Sequence, residues 1–162
     1  MRRRDKINYY LDIAETVIKR GTCLRRNYGA IIVKNDEIIS TGYTGAPRGR
    51  KNCTDLGYCI REKKQIPRGQ NYEICRSVHA EANAIISAKR SDMLEATMYL
   101  VGKEAKTDEY VLNANSCTMC KRLIINAGIS RVIVRIDEYE YKSIEVASWI
   151  EDDDSLGENM GY

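Results

Sequence analysis

Apolar residues recur at helical spacing through the first twenty positions, at Ile7, Tyr10, Leu11, Ala14, Val17 and Ile18, and Gly21 supplies a stop. The stretch GAIIVKNDEIISTGY then changes period. Two β-branched runs flank Asn35-Asp36, which predicts a hairpin. From Thr44 to Cys75 no period is sustained and both prolines of the chain occur. Loops much beyond about 15 residues are uncommon in compact domains unless functional or tied down, so this segment is expected to be anchored. The helical period returns in SVHAEANAIISAKR, with Val78, Ala82, Ile85 and Ile86 on the apolar side and Ser77 placed to cap it. ATMYLVG predicts a strand, and Lys103 to Ser116 is polar with room for a short hairpin. CTMCKRLIINAG predicts a helix capped by Gly128, RVIVRI a buried strand, and SIEVASWIEDDD a further strand or short helix. Helix, hairpin, helix, strand, helix, strand predicts an α/β fold, a mixed sheet covered by helices in three α/β/α layers.

Length and composition fit one soluble domain over 1–162, with a core to about 137 and a C-terminal extension over 138–162. The net charge of +3 combines a basic start (Arg2-Arg3-Arg4) with an acidic run (Glu151-Asp152-Asp153-Asp154). That is too mild an excess for duplex nucleic acid, although Arg25-Arg26 and Arg48-Gly-Arg50-Lys51 suit a small anion or a solvated loop equally well. No apolar run approaches the roughly 20 residues that span a bilayer, which excludes a membrane helix. Asp5, Lys6 and Asn8 interrupt any signal-peptide core, so a cytoplasmic location is expected. The six cysteines are then metal ligands or buried thiols rather than disulfides.

The single histidine, His79, stands two before Glu81, and Cys117 and Cys120 stand three apart at the start of a predicted helix. Thiols three apart share one helix face, and a helix N-terminus favours their anionic form. His79, Cys117 and Cys120 therefore supply three ligands, the count of a catalytic zinc site with an open position. Zinc lowers the pKa of bound water from 15.7 to about 7, and Glu81 is the matching acid/base group. An i, i+2 pair lies about 200° apart around a helix, so His79 and Glu81 converge only at a helix entrance. Alone, a Cys-x-x-Cys is a modest signal, and a histidine beside an apolar run more often serves structure. Together they resemble the zinc deaminase signature, His-x-Glu followed by Pro-Cys-x-x-Cys, with Ser116 in the place of its proline.

In RGTCLRRNYGAIIV, ISTGYTGAPRG, RSVHAEANAI and INAGISRVIV the chain resembles the cytidine/deoxycytidylate deaminase family, and within it the dCMP deaminases. The resemblance implies a five-stranded mixed sheet, catalytic zinc on His79, Cys117 and Cys120, and Glu81 as proton shuttle in hydrolytic conversion of dCMP to dUMP and ammonia. It also implies that the Ala80 N–H holds the pyrimidine carbonyl and that the residue at Ser116 offers its carbonyl to the amino group. Ser116 replaces the family's usual proline, and Thr44 replaces its usual sugar-contacting asparagine. The Tyr99–Cys117 connection is longer than the family's and either caps the active-site mouth or, the reading favoured here, forms an inert hairpin. Arg25 and Arg26, with Arg90 behind them, are the phosphate candidates. Cys23, Cys53, Cys59 and Cys75 make the closed tetrahedral count for a second, structural zinc, which several dCMP deaminases carry. A homo-oligomer, often a hexamer, and dCTP and dTTP as effectors follow from the resemblance alone. The competing readings are a deaminase of a free nucleoside, another nucleotide or single-stranded nucleic acid, and a catalytically silent zinc-stabilised regulatory module. Small net charge and the absence of Phe disfavour nucleic acid, and the retained Glu81 disfavours a silent module.

Overall fold

Asp5 starts the first helix, α1 (Lys6–Ile18), by accepting from the Asn8 N–H at 2.9 Å. The hairpin follows as β1 (Arg26–Lys34) and β2 (Glu37–Tyr43), turning through Asn35 and Asp36, both with positive φ. These two residue types tolerate the left-handed conformation that such a turn demands. Next come α2 (Cys53–Leu56), α3 (Ile60–Lys63), α4 (Ala80–Ile86), α5 (Arg90–Met93), β3 (Thr97–Glu104), α6 (Thr118–Ala127), β4 (Arg131–Arg135), β5 (Tyr141–Glu145) and α7 (Val146–Glu151). The computed structural model describes residues 1–153 and 156, so Asp154 of the acidic run lies outside the described residues. Among the described residues no helix is long and apolar enough to cross a membrane.

The sheet order is β2-β1-β3-β4-β5, with β3 and β4 parallel and the other neighbours antiparallel. Its central strands are apolar on both faces because helices cover both. Ile31, Val33, Tyr99, Val101 and Ile133 face α1, and Ala30, Ile32, Met98, Leu100, Val132 and Val134 face the layer containing α4, α6 and α7. The three α/β/α layers and the mixed five-stranded sheet are those expected. The segment after β5's start is both strand and helix, β5 running directly into α7.

One helix departs from its period. Val78 pairs with Gly45 in both directions (2.7 and 3.2 Å), which holds residues 77–78 extended, so α4 starts at Ala80 with His79, not Ser77, at its N-cap. The helix ends at Ile86, which is exposed rather than packed, and Arg90 opens the separate α5.

Between α1 and the sheet, Arg135 is 2% exposed, and its guanidinium meets Asp12 at 2.8 Å, Glu15 at 2.7 Å and Asn8 at 3.1 Å. Burial works to raise the Asp12 and Glu15 carboxyls, but their cationic partners win and hold both below their ordinary values of 3.8 and 4.5. Arg4 and Arg135 act on Asp12; Lys103 and Arg135 act on Glu15. Groups with depressed folded values stabilise fully above their unfolded values and lose that contribution as pH falls through the folded ones. Arg135→Met is expected to cost about 3 kcal/mol at neutral pH. Its gap from wild type should narrow below about pH 4, as read from denaturant unfolding at both pH values.

Candidate active site

Two helix starts face each other on the same side of the sheet. His79 precedes α4 with extended backbone (φ −68, ψ 152), and Cys117 precedes α6 in the same way (φ −69, ψ 164). An N-cap side chain points along the helix rather than around it. This geometry allows His79 and Glu81, on the first turn of α4, to approach one point despite their spacing. Cys120 sits in the first turn of α6, fully buried. The depth of α4 against β2 depends on Gly42, where a Cβ would come within 2.3 Å of the Ala80 carbonyl oxygen and 2.4 Å of the Ala84 nitrogen. Asn83 Nδ2 donates to the Tyr43 carbonyl at 2.8 Å and fixes the same approach.

The His79 Nδ1 atom lies 3.4 Å from Cys117 Sγ and 3.5 Å from Cys120 Sγ, and the three donor atoms all fall within 4.8 Å of one another. For a tetrahedral ion with Zn–S of about 2.3 Å and Zn–N of about 2.0 Å, the S···N edge is about 3.5 Å. The donor set thus has the size and chemistry of a zinc site. Hydrogen bonding from Cys120, with the His79 ring adding to it, holds Cys117 far below the usual thiol range, and the same contact pushes Cys120 up. A dication held by these residues would replace the thiol proton.

Glu81 is 4% exposed, and burial raises its carboxyl above the ordinary range against the opposing pull of His79 and Ser116. Ser116 Oγ is buried without a well-formed hydrogen bond, and the Ser116 N–H donates to Asn115 Oδ1 at 2.8 Å. Glu81, His79 and Cys117 lie in a cleft of about 300 Å³. Ala80, the first residue of α4 and fully buried, lines it too, with an N–H that has no acceptor inside the helix. Thr44 lines the cleft with its Oγ1 accepting from the Tyr28 N–H at 2.9 Å, a bond that leaves its own hydroxyl proton unused.

Arg25 and Arg26 also line the cleft, paired with Glu62 (3.2 Å) and Glu104 (2.7 Å). Arg90 is not brought there. Because α4 stops at Ile86, Arg90 sits at an exposed corner and donates to the Asn126 carbonyl at 3.0 Å. Cys23, Cys59 and Cys75 line the cleft, while Cys53 is buried with its Sγ 3.8 Å from Ser77 Oγ. Burial raises the Cys53 and Cys75 thiols, and neighbouring thiols add to this, Cys23 and Cys59 at Cys53, Cys23 and Cys53 at Cys75. Among the described residues the three-donor group within 4.8 Å is His79, Cys117 and Cys120; these four thiols do not form a second.

Side chains supply the anchoring expected of the irregular segment. Asn52 Oδ1 accepts from Thr22 Oγ1 (3.0 Å) and the Ala46 N–H (3.2 Å), and Arg61 binds the carbonyls of Pro67 and Gln70. The segment also contributes cleft residues that hydrophobic period cannot mark, among them Arg61, Arg68 and Tyr72. Tyr28, on β1, is another; burial, with the Glu81 charge behind it, pushes its phenol up to about 12, so it remains a neutral hydroxyl. The 105–116 connection turns back on β3 through Lys103 and Tyr110 and brings Asn115 to the cleft, so only part of it is an inert hairpin.

An α/β/α fold with one histidine, two cysteines and a buried glutamate at two converging helix starts defines a zinc-binding hydrolytic deaminase. The family model for the cytidine and deoxycytidylate deaminase zinc-binding region matches residues 4–136, and the chain belongs to that family. A deoxycytidylate deaminase of Mycobacterium phage D29 is 34% identical over 138 residues, 82% of this chain and 96% of that relative. One from Schizosaccharomyces pombe is 30% identical over 78% of this chain, which spans only 35% of that longer protein. The crystal structure of the cyanophage S-TIM5 dCMP deaminase in complex with dCMP and dUMP shares the fold, with a TM-score of 0.55 and 22% identity, covering 83% of this chain and 84% of that one.

Proposed function

We propose that the enzyme converts dCMP and water to dUMP and ammonia. The observation that carries this reading is the layout of the cleft, with a buried carboxyl beside a zinc-sized donor set at one end and arginines around the rest. The names of the relatives support the same substrate. His79, Cys117 and Cys120 would hold the catalytic zinc, which supplies a Lewis acid that brings the pKa of water to about 7. Glu81 takes a proton from the attacking water, delivers it to N3 of cytosine, and passes a proton to the departing amino group. The Ala80 N–H receives the pyrimidine carbonyl, the Ser116 carbonyl accepts from the amino group, Thr44 faces the sugar, and Arg25 and Arg26 face the phosphate. Water adds at C4 and the C4–N bond breaks, so atoms balance without a redox partner.

Ammonia release from dCMP, deoxycytidine and a cytosine-containing single strand, assayed side by side, tests the substrate. Turnover of dCMP well above the other two is expected; preference for the nucleoside or the strand would refute it.

A second zinc on Cys23, Cys53, Cys59 and Cys75 is part of the same proposal, supported by Cys23, Cys59 and Cys75 lining one cleft and by the influence of Cys23 and Cys59 on the buried Cys53. Two zinc equivalents per chain, falling to one in Cys53→Ser, is the expected count. The proposal extends to a cytoplasmic homo-oligomer, a hexamer by family resemblance, with dCTP and dTTP as effectors. Exposed Ile86, Leu123 and Ile150 on the α4, α6 and α7 layer support self-association, which light scattering reads as mass.

A further inference from the structure

Arg61 is 4% exposed and lines the cleft, yet among the described residues no carboxylate pairs with it. The neighbouring Arg25 and Arg26 are each neutralised by a glutamate. Arg61 Nη2 donates to the Pro67 carbonyl at 2.9 Å and to the Gln70 carbonyl, while its buried Nε meets no acceptor. The guanidinium carbon stands 4.6 Å over the centre of the Tyr72 ring, and that ring meets the His79 imidazole edge-on with centroids 5.0 Å apart. A full positive charge is therefore held one aromatic ring away from the metal-ligating end of the cleft.

Burying a guanidinium without a carboxylate partner is costly, and neutral carbonyls and a π face offset the cost only in part. A ligand that brings negative charge into the cleft would complete the set. Arg61 Nη2 is committed to Pro67 and Gln70, which leaves Nη1 to face a phosphate oxygen, and that anchoring means little side-chain freedom is lost on binding.

We propose that Arg61 is the specificity-determining residue for a phosphorylated substrate, its buried guanidinium over Tyr72 binding the 5′-phosphate of the nucleotide. This rests on the nucleotide reading given above and assigns the selection to a residue of the irregular segment in addition to Arg25 and Arg26. It also gives that segment a role in binding, since the turn over 67–70 that holds Arg61 becomes part of the phosphate site.

The test measures binding of dUMP, deoxyuridine and inorganic phosphate to the zinc-loaded protein by calorimetry, in wild type, Arg61→Gln and Arg61→Lys, with zinc content and thermal unfolding recorded for each. Arg61→Gln should weaken dUMP and phosphate roughly 10- to 100-fold and leave deoxyuridine within about threefold. Arg61→Lys, which keeps the charge but has a single nitrogen to share between the 67–70 turn and the ligand, should fall between wild type and Arg61→Gln and covers the case in which Arg61→Gln does not fold. If Arg61 is only a clip for the 67–70 turn, dUMP and deoxyuridine weaken together, and the proposal fails. Unchanged phosphate binding in Arg61→Gln also overturns it, as does a wild type that binds neither dUMP nor phosphate. A wild type that binds phosphate through Arg61 but leaves dCMP unreacted sinks the dCMP reading and keeps the site. A protein that deaminates dCMP equally well after Arg61→Gln keeps that reading and sinks the site.

Discussion

Glu81→Gln is expected to keep its fold and its zinc and to lose turnover by roughly a hundredfold to ten-thousandfold, the range for removing a positioned general acid/base. The substitution is nearly isosteric, and Glu81 is not one of the three grouped donors, so neither packing nor metal content should change. What it removes is the ability to accept and return a proton at a position where Glu81 is only 4% exposed. Burial favours the protonated form, and the nearby imidazole and Ser116 favour the ionised one. A carboxyl balanced in this way can serve as base in one half of the reaction and acid in the other. Steady-state rates with metal analysis on the same preparation check this. Wild-type turnover in a zinc-loaded Glu81→Gln protein would remove Glu81 from the chemistry.

Cys120→Ser is expected to abolish both zinc retention and activity. Cys120 is completely buried, and a serine there offers a poor ligand to a borderline-soft ion that prefers thiolate. Partners one shell further out are worth roughly 10- to 100-fold in metal affinity, so loss of a direct ligand should exceed that. Wild-type affinity should fall with acid, because the proton that binds the thiol pair competes with the metal. Zinc remaining after dialysis against a chelator, followed across pH, measures both effects. If Cys120→Ser retains its full catalytic zinc, the assigned ligand set is wrong.

The parts of the fold legible in the sequence are those in which local period and tertiary packing agree. Ile7 to Ile18 packs the face that its spacing marks, Asn35-Asp36 turns the hairpin, and Gly128 ends α6 in the left-handed conformation. The donor set was legible for a different reason, since three ligand types and a carboxylate carry chemistry whatever the surroundings. The start of α4 was misplaced because a strand-like pairing between Val78 and Gly45, far apart in sequence, overrides the capping preference of Ser77. Arg90 departs from its expected place for a separate reason at the other end, where α4 stops at Ile86 instead of continuing through Arg90. Arg61, Tyr72 and Asn115 stayed hidden in segments without period, where only long-range contacts decide which side chains enter the cleft.

The most direct test of the central claim is the fate of solvent oxygen during dCMP turnover. Zinc-loaded enzyme is incubated with dCMP in heavy-oxygen water, and the product is weighed by mass spectrometry alongside an ammonia assay. The expected product is dUMP carrying one solvent oxygen at C4, with one ammonia released per product. Recovery of unlabelled product, or of unchanged dCMP with a fully loaded site, would contradict the claim.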